Sequence, residues 1–148
     1  MNLITSKGRE VRPAAKVIIR DESNNVIFVE SRKSGRYNLP GGGIDRGENP
    51  GVAALRELHE EIGIKKAQLT DFVLRTTVSG PVATGRGELM LHWTVFEAGL
   101  AVPADELVIP VGSEIKYIHC LNPEVFAAYG NKSVLAHQAL VKTGYLPE

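Results

Sequence analysis

Apolar positions along the chain change their spacing several times, and each change marks an element. Ala15–Arg20 is dense in Val and Ile and predicts a strand. The polar run Asp21–Asn25 follows, with Asn24-Asn25 able to take positive φ, and Val26–Glu30 is apolar again. These two runs predict a hairpin. Val26-Ile27-Phe28-Val29 does not alternate, which predicts a strand buried on both faces. Ser31–Arg36 is a basic loop, and Tyr37–Leu39 is a short extended piece held so by Pro40. From about Pro50 to Ile62 the spacing becomes helical. Asn49 suits the cap, Pro50 the first turn and Gly63 the C-terminal stop.

Beyond the helix, Gln68–Ser79 and Glu88–Ala98 predict two strands divided by Gly80–Gly87. Leu89, Leu91, Trp93 and Val95 fall on one face of the second. Ile115–Leu121 predicts a last strand, Asn122-Pro123 opens a short helix, and Ser133–Thr143 predicts another. The order is strands, helix, strands, helices, with no repeat and no linker. It predicts a single α/β (α+β) domain over residues 1–148, with a mixed sheet and helices on both sides.

Composition narrows the function classes. A chain of 148 residues can bury a full core without staples. Lys plus Arg and Asp plus Glu are equal at 17 each, so the electrostatic signature of a dedicated nucleic-acid binder is missing. Small anionic ligands remain open, because a metal or a few arginines can hold them. The lone Cys120 excludes an intrachain disulfide and a cysteine-rich zinc cluster, and its apolar run Tyr117–Leu121 suits a small buried hydrophobe. Met1–Pro13 lacks the apolar core of a signal peptide, and no stretch approaches the ~18 apolar residues of a membrane span. The expectation is a cytoplasmic protein without a membrane partner.

The helix carries the candidate chemistry. With Glu57 set at zero and about 100° per residue, Glu61 falls near 40°, Glu60 near −60° and Ala53 between them. Leu58, Ile62, Leu55 and Val52 fall at roughly 100° to 220°, with His59 inside that arc. One face therefore carries three carboxylates, and an apolar face opposite is expected to anchor the helix. Glu57–Glu60 and Glu57–Glu61 repel by a few tenths of a kcal/mol each, and a bound cation would reverse that sign. Oxygen-only donors favour Mg²⁺ or Mn²⁺ over zinc or copper. An acidic helix face is also what a plain solvated surface looks like. The preceding Gly41-Gly42-Gly43 separates the two readings, because it lets backbone groups approach a ligand beside that face.

Gly42, Glu48, Arg56, Glu57, Leu58, Glu60, Glu61, Gly63 and Ile64 together match the pattern G-x5-E-x7-R-E-U-x-E-E-x-G-U, where U is a bulky aliphatic. The chain thereby resembles the Nudix hydrolases, enzymes that cleave nucleoside diphosphates linked to another moiety. Leu39-Pro40 before the box and the strand order agree with that family. The resemblance implies an α/β/α sandwich around a mixed sheet and a Mg²⁺- or Mn²⁺-dependent cut of a phosphoanhydride in a nucleotide-type substrate. It implies that Glu57, Glu60 and Glu61 hold the metal, with the Gly41 carbonyl as a further ligand. Arg56 would pair with Glu48 or Glu57 and orient them, and Glu48 would either join the metal set or fix its loop. The general base is either Glu57 or a loop residue, with Glu114 preferred over Glu106.

Arg32, Lys33 and Arg36 lie where they could reach a phosphate chain, and Tyr37 or Trp93 could stack on a base. His92 and His119 sit in predicted strands without metal-ligand spacing. The resemblance also leaves room for a homodimer, as in many family members. Two other activities compete on the same fold. One is a nucleotide-binding regulator without turnover, which need not keep all of Arg56, Glu57, Glu60 and Glu61. The other is a prenyl-diphosphate isomerase, which would want a better placed reactive cysteine than Cys120.

Overall fold

The computed structural model describes Leu3, Ile4 and residues 10–148. The segment Met1–Pro13, read above as lacking a leader's apolar core, lies partly outside the described residues. The strands are β1 (Leu3–Ile4), β2 (Glu10–Arg20), β3 (Val26–Ser31), β4 (Tyr37–Asn38), β5 (Gly41–Gly43), β6 (Leu69–Thr84), β7 (Gly87–Leu100) and β8 (Ile115–Leu121). The helices are α1 (Pro50–Ile62), α2 (Pro123–Ala127) and α3 (Val134–Lys142). The main strand order is β4-β3-β2-β7-β6, with β1 and β5 also on β2 and β8 on β3. β2 and β7 run parallel, from Val11↔Met90 to Arg20↔Gly99, and the other pairs are antiparallel, so the sheet is mixed as expected.

Period-two alternation along β2 and β3 divides the core between the two faces of this sheet. Ala15, Val17, Ile19, Ile27 and Val29 pack with Ala53, Ala54, Leu58 and Ile62 of α1. Ala14, Ile18, Val26, Phe28, Trp93 and Val95 pack with Phe126 of α2 and with Leu135, Ala136, Ala139 and Leu140 of α3. Phe28 and Phe126 stack with ring centroids 4.2 Å apart. Helices thus cover both faces, which explains why Val26–Val29 is buried without a break.

The helix ends follow from local chemistry. The Asn49 side chain accepts from the Gly51 N–H, Pro50 occupies the first turn, and Gly63 closes α1 at φ 70°. Asn122 and Ser133 cap α2 and α3 in the same way. The glycine run Gly41–Gly43 forms β5 and pairs with Ala14–Lys16 of β2. Two expectations need correction. First, Gly80–Gly87 does not divide the long hairpin. β6 and β7 stay paired through Gly80↔Leu91 and Pro81↔Met90 to Thr84↔Gly87, because β6 is the end strand and Pro81 need not donate toward its outer edge.

The second concerns α1. Its packed residues are Ala53, Ala54, Leu58 and Ile62, while Leu55 is half-buried and Val52 is 58% exposed. His59, placed within the apolar arc, is exposed. The small alanines, rather than the large aliphatics at 160° to 220°, face the sheet, so the packed arc is centred nearer 60° by the same helix geometry. Glu57, set at zero, and Glu61, at about 40°, therefore fall within the packed side instead of opposing it. Leu58→Ala is expected to cost about 2–5 kcal/mol in urea unfolding, and Val52→Ala less than about 0.5 kcal/mol. Equal losses in the two variants would contradict this orientation of α1.

Candidate active site

β5 sets the floor of the site. Gly41 has φ 130°, and a Cβ there would lie 2.1 Å from the Ala15 carbonyl oxygen, so no other residue fits beside β2. At Gly42 a Cβ would lie 2.5 Å from Glu57 Oε2. The missing side chain is the space into which the Glu57 carboxylate folds. The Gly41 N–H donates to Glu61 Oε1 at 2.8 Å, which ties the last turn of α1 to the strand.

Arg56 organises the opposite side. Its Nε donates to Glu48 Oε2 at 2.8 Å and its Nη2 to Glu48 Oε1 at 2.9 Å, a bidentate pair. Nη2 also donates to the Gly43 carbonyl at 3.0 Å, and Nη1 donates to Glu57 Oε1 at 3.0 Å and Glu60 Oε2 at 3.1 Å. Asp45 adds an ion pair at 3.4 Å. Both partners expected for Arg56, Glu48 and Glu57, are thus engaged. The Arg56 hydrogen bonds hold the Glu48 carboxyl down at about 2, helped by the Asp45 N–H. The Glu48 hydrogen bonds in turn raise the Arg56 guanidinium.

The two carboxylates nearest β5 behave in the opposite way. Burial pushes Glu61 up to about 7, against the pull of Lys16 and the Gly41 N–H. Burial also raises Glu57, against its hydrogen bond from Arg56. Glu60 lies outermost, with its side chain 56% exposed. Burial is thus the main cause of both shifts, with the charges of neighbouring carboxylates adding to it.

A cavity of about 670 Å³ opens over this floor, lined by Lys16, Arg36, Asn38, Glu57, Glu60 and Glu61 among others, and by Gly112–Ile115 on its far wall. That volume lies within the usual range for a small-molecule site. Glu114 is brought there by the segment before β8. The Ser113 hydroxyl donates to the Glu61 carbonyl at 2.7 Å, and the Arg32 N–H donates to the Glu114 carbonyl at 2.8 Å. Glu106 lies in a 3-10 turn (Ala104–Glu106) and is not among the residues lining the cavity.

The other expected residues divide sharply. Arg36 lines the cavity, whereas Arg32 turns its guanidinium to the Ile115 carbonyl at 3.5 Å, and Lys33 is exposed away from the lining. Tyr37 stacks on His119 at 4.7 Å and leans on Tyr129, outside the cavity lining. Trp93 is buried, His92 Nδ1 pairs with the Ser79 hydroxyl, and His119 Nε2 pairs with Glu30. Cys120 Sγ donates to Asp21 Oδ2, and burial pushes its thiol up to about 12, far from a nucleophile.

The pattern of residues passed over Lys16. It is 8% exposed, and its Nζ donates to the Leu39 carbonyl at 3.1 Å and the Gly41 carbonyl at 3.2 Å. Burial lowers this amine, while Glu61, Glu57 and Glu114 oppose that shift. The available signal was a single charge inside the apolar run Ala14–Ile19.

The donors suit a hard divalent cation in kind: carboxylates and a backbone carbonyl, with no imidazole or thiol among the described residues that line the cavity. Among the described residues, no three acidic, imidazole or thiol groups converge as a closed ligand cluster. Arg56 draws Glu57 and Glu60 one way, and the Gly41 N–H draws Glu61 the other. A cation would compete with Arg56 for carboxylates already gathered beside the cavity. Glu48, with both oxygens on Arg56, serves to fix that guanidinium and the loop around Asp45.

A family profile described as NUDIX domain matches residues 10–137. Nudix hydrolase 25 of Arabidopsis thaliana is 45% identical over 53 residues, which are 34% of this chain and 30% of the relative. The RNA pyrophosphohydrolase of Tolumonas auensis is 35% identical over 63 residues, 43% of this chain and 36% of the relative. The chain thus matches about a third of the length of these curated relatives. The solved structure of the E. coli dihydroneopterin triphosphate pyrophosphohydrolase superposes with a TM-score of 0.70 at 23% identity, covering 88% of this chain and 92% of that one.

The raised Glu61 fixes a pH signature for the protein stripped of divalent ions. The folded state keeps the Glu61 proton up to about pH 7, whereas the unfolded chain releases it near 4.5. Stability from this group is therefore lost as pH rises between those values, by about 3 kcal/mol at most. Glu61→Gln should flatten that fall in a pH series of thermal melts, because an amide oxygen still accepts from Gly41. An unchanged slope would contradict the assignment.

Proposed function

The chain belongs to the Nudix family, and on that premise we propose that it is a divalent-metal-dependent pyrophosphohydrolase cutting a diphosphate linkage in a nucleotide-type substrate. The observation that carries this reading is the juxtaposition of Glu57, Glu60, Glu61 and Glu114 around one cavity, backed by the bidentate Arg56–Glu48 pair. A solvated acidic surface would not bury Glu61 or fold Glu57 into the space left by Gly42.

In the proposed reaction, a water oxygen attacks one phosphorus of the linkage. The bond from that phosphorus to the bridging oxygen breaks, and the bridging oxygen leaves with the electron pair as part of the departing phosphate. Glu57 or Glu114 takes the water's proton, which requires a carboxylate beside the cavity and in its ionised form. Arg36 binds phosphate oxygens from the opposite rim. Arg56 acts at one remove, holding Glu57 and Glu60 in place through its fixed guanidinium. Mg²⁺ or Mn²⁺, held by Glu57, Glu60 and Glu61, would neutralise non-bridging oxygens and acidify water.

Similar proteins bear the names of pyrophosphohydrolases, one of them of a triphosphate. One relative is an RNA pyrophosphohydrolase and one structural neighbour a dihydroneopterin triphosphate pyrophosphohydrolase. A nucleoside triphosphate is accordingly the first substrate to try, within a single domain that we place in the cytoplasm and expect to act on small molecules.

A phosphate- and pyrophosphate-release assay over a panel of nucleoside triphosphates, nucleotide sugars and dinucleoside polyphosphates, with Mg²⁺ and with chelator, tests this. Wild-type protein should turn over at least one compound only with the metal. Glu57→Gln should lower that rate by about 10²-fold or more while melting normally. Tight nucleotide binding with no turnover across the panel would favour a regulator instead, and near-normal turnover in the variant would remove Glu57 from the chemistry.

A further inference from the structure

Lys16, the buried lysine of β2, takes no part in the reaction proposed above. Its side chain lies among groups that leave it little freedom. The Nζ sits 5.0 Å from the centre of the buried Trp93 ring. Two of its three hydrogens are directed at the carbonyls of Leu39 and Gly41. With 8% of the residue exposed, it offers a substrate almost no surface. What it does offer is a positive charge set into the floor beneath Glu57 and Glu61.

Gly41 is held from both sides. Its N–H donates to Glu61 and its carbonyl accepts from Lys16. Pairing of β5 with β2, Gly41 opposite Lys16, keeps that carbonyl in place. The oxygen that the box resemblance gives to a divalent ion is therefore already serving a cation. An ion at an ordinary Mg–O distance of about 2.1 Å on the same oxygen would stand no farther than about 5 Å from Nζ, given the 3.2 Å bond. Like charges at that range oppose each other, the more so because the amine is buried.

We infer that Lys16 is a resident cation at the Gly41 carbonyl, taking the place of one divalent ion, so that metal binding in this chain falls to the side chains of Glu57, Glu60 and Glu61. The inference rests on the metal-dependent reading proposed above. It makes Lys16 a positioning residue: it sets how many ions the floor accepts and keeps Gly41 in register with Glu61. The stem of a neutral replacement can still pack on Trp93, so the charge can be removed with the wall kept.

Equilibrium titration with Mn²⁺, following free ion by electron paramagnetic resonance, gives the number of ions bound per chain without any substrate. Wild type, Lys16→Met, Lys16→Gln and Lys16→Arg are compared, each checked by thermal melting. The expected result is one additional Mn²⁺ per chain in the Met and Gln variants, and the wild-type number in the Arg variant. Either neutral variant suffices if the other does not fold. Wild-type stoichiometry in a folded neutral variant overturns the Lys16 assignment and leaves the metal reading standing. No Mn²⁺ bound by any of the four removes the metal reading and this inference with it.

Discussion

One guanidinium holds the acidic side of this molecule together. Arg56 spends its donors on Glu48, Glu57, Glu60 and the Gly43 carbonyl, and so links the loop before α1, two turns of the helix and the end of β5. The Glu48 pair is bidentate and hydrogen-bonded at both ends, which gives the guanidinium a fixed plane. Without that anchor, Glu57 and Glu60 would repel at i,i+3 spacing and turn to solvent. With it, they stand beside one cavity at a cost the rest of the fold has to balance.

The balance is struck on the other side of the same floor. Gly41 must be glycine to lie against β2, and Gly42 to leave room for Glu57 above it. That approach puts Gly41 within reach of both Glu61 and Lys16. The helix can come this close because two of its four packed residues are the alanines Ala53 and Ala54. Packing and electrostatics are therefore one constraint: the small side chains that seat α1 also bury the carboxyls of Glu57 and Glu61, and burial raises both.

The parts of this arrangement set by neighbours in sequence were legible before any coordinates. Asn49, Pro50 and Gly63 define α1 to the residue, and Asn122-Pro123 marks where α2 begins. The box resemblance pointed to Arg56 with Glu48 or Glu57, though not to Glu60, Asp45 or the Gly43 carbonyl. What depends on distant pairing was not legible. The orientation of α1 followed alanines that carry little hydrophobic signal, so Val52 and Leu55 were assigned to the wrong side. The β6–β7 hairpin runs through Gly80 and Pro81 because cross-strand pairing overrides local breakers on an end strand. Lys16 could not be placed because its partners Leu39 and Gly41 are more than twenty residues away. Glu114, chosen for its position before β8, lines the cavity, while Arg32 was separated from Arg36 by the turn between them.

The comparisons and the geometry meet at the same place, the carboxylates of α1 above the glycine strand. The central claim is that these side chains bind a hard divalent cation. Calorimetric titration of Mg²⁺ into wild-type protein and into the double variant Glu57→Gln, Glu61→Gln tests it most directly. Saturable binding in the wild type, lost in a double variant that still melts cooperatively, is the predicted result. Equal binding in both, or none in the wild type, would contradict the account.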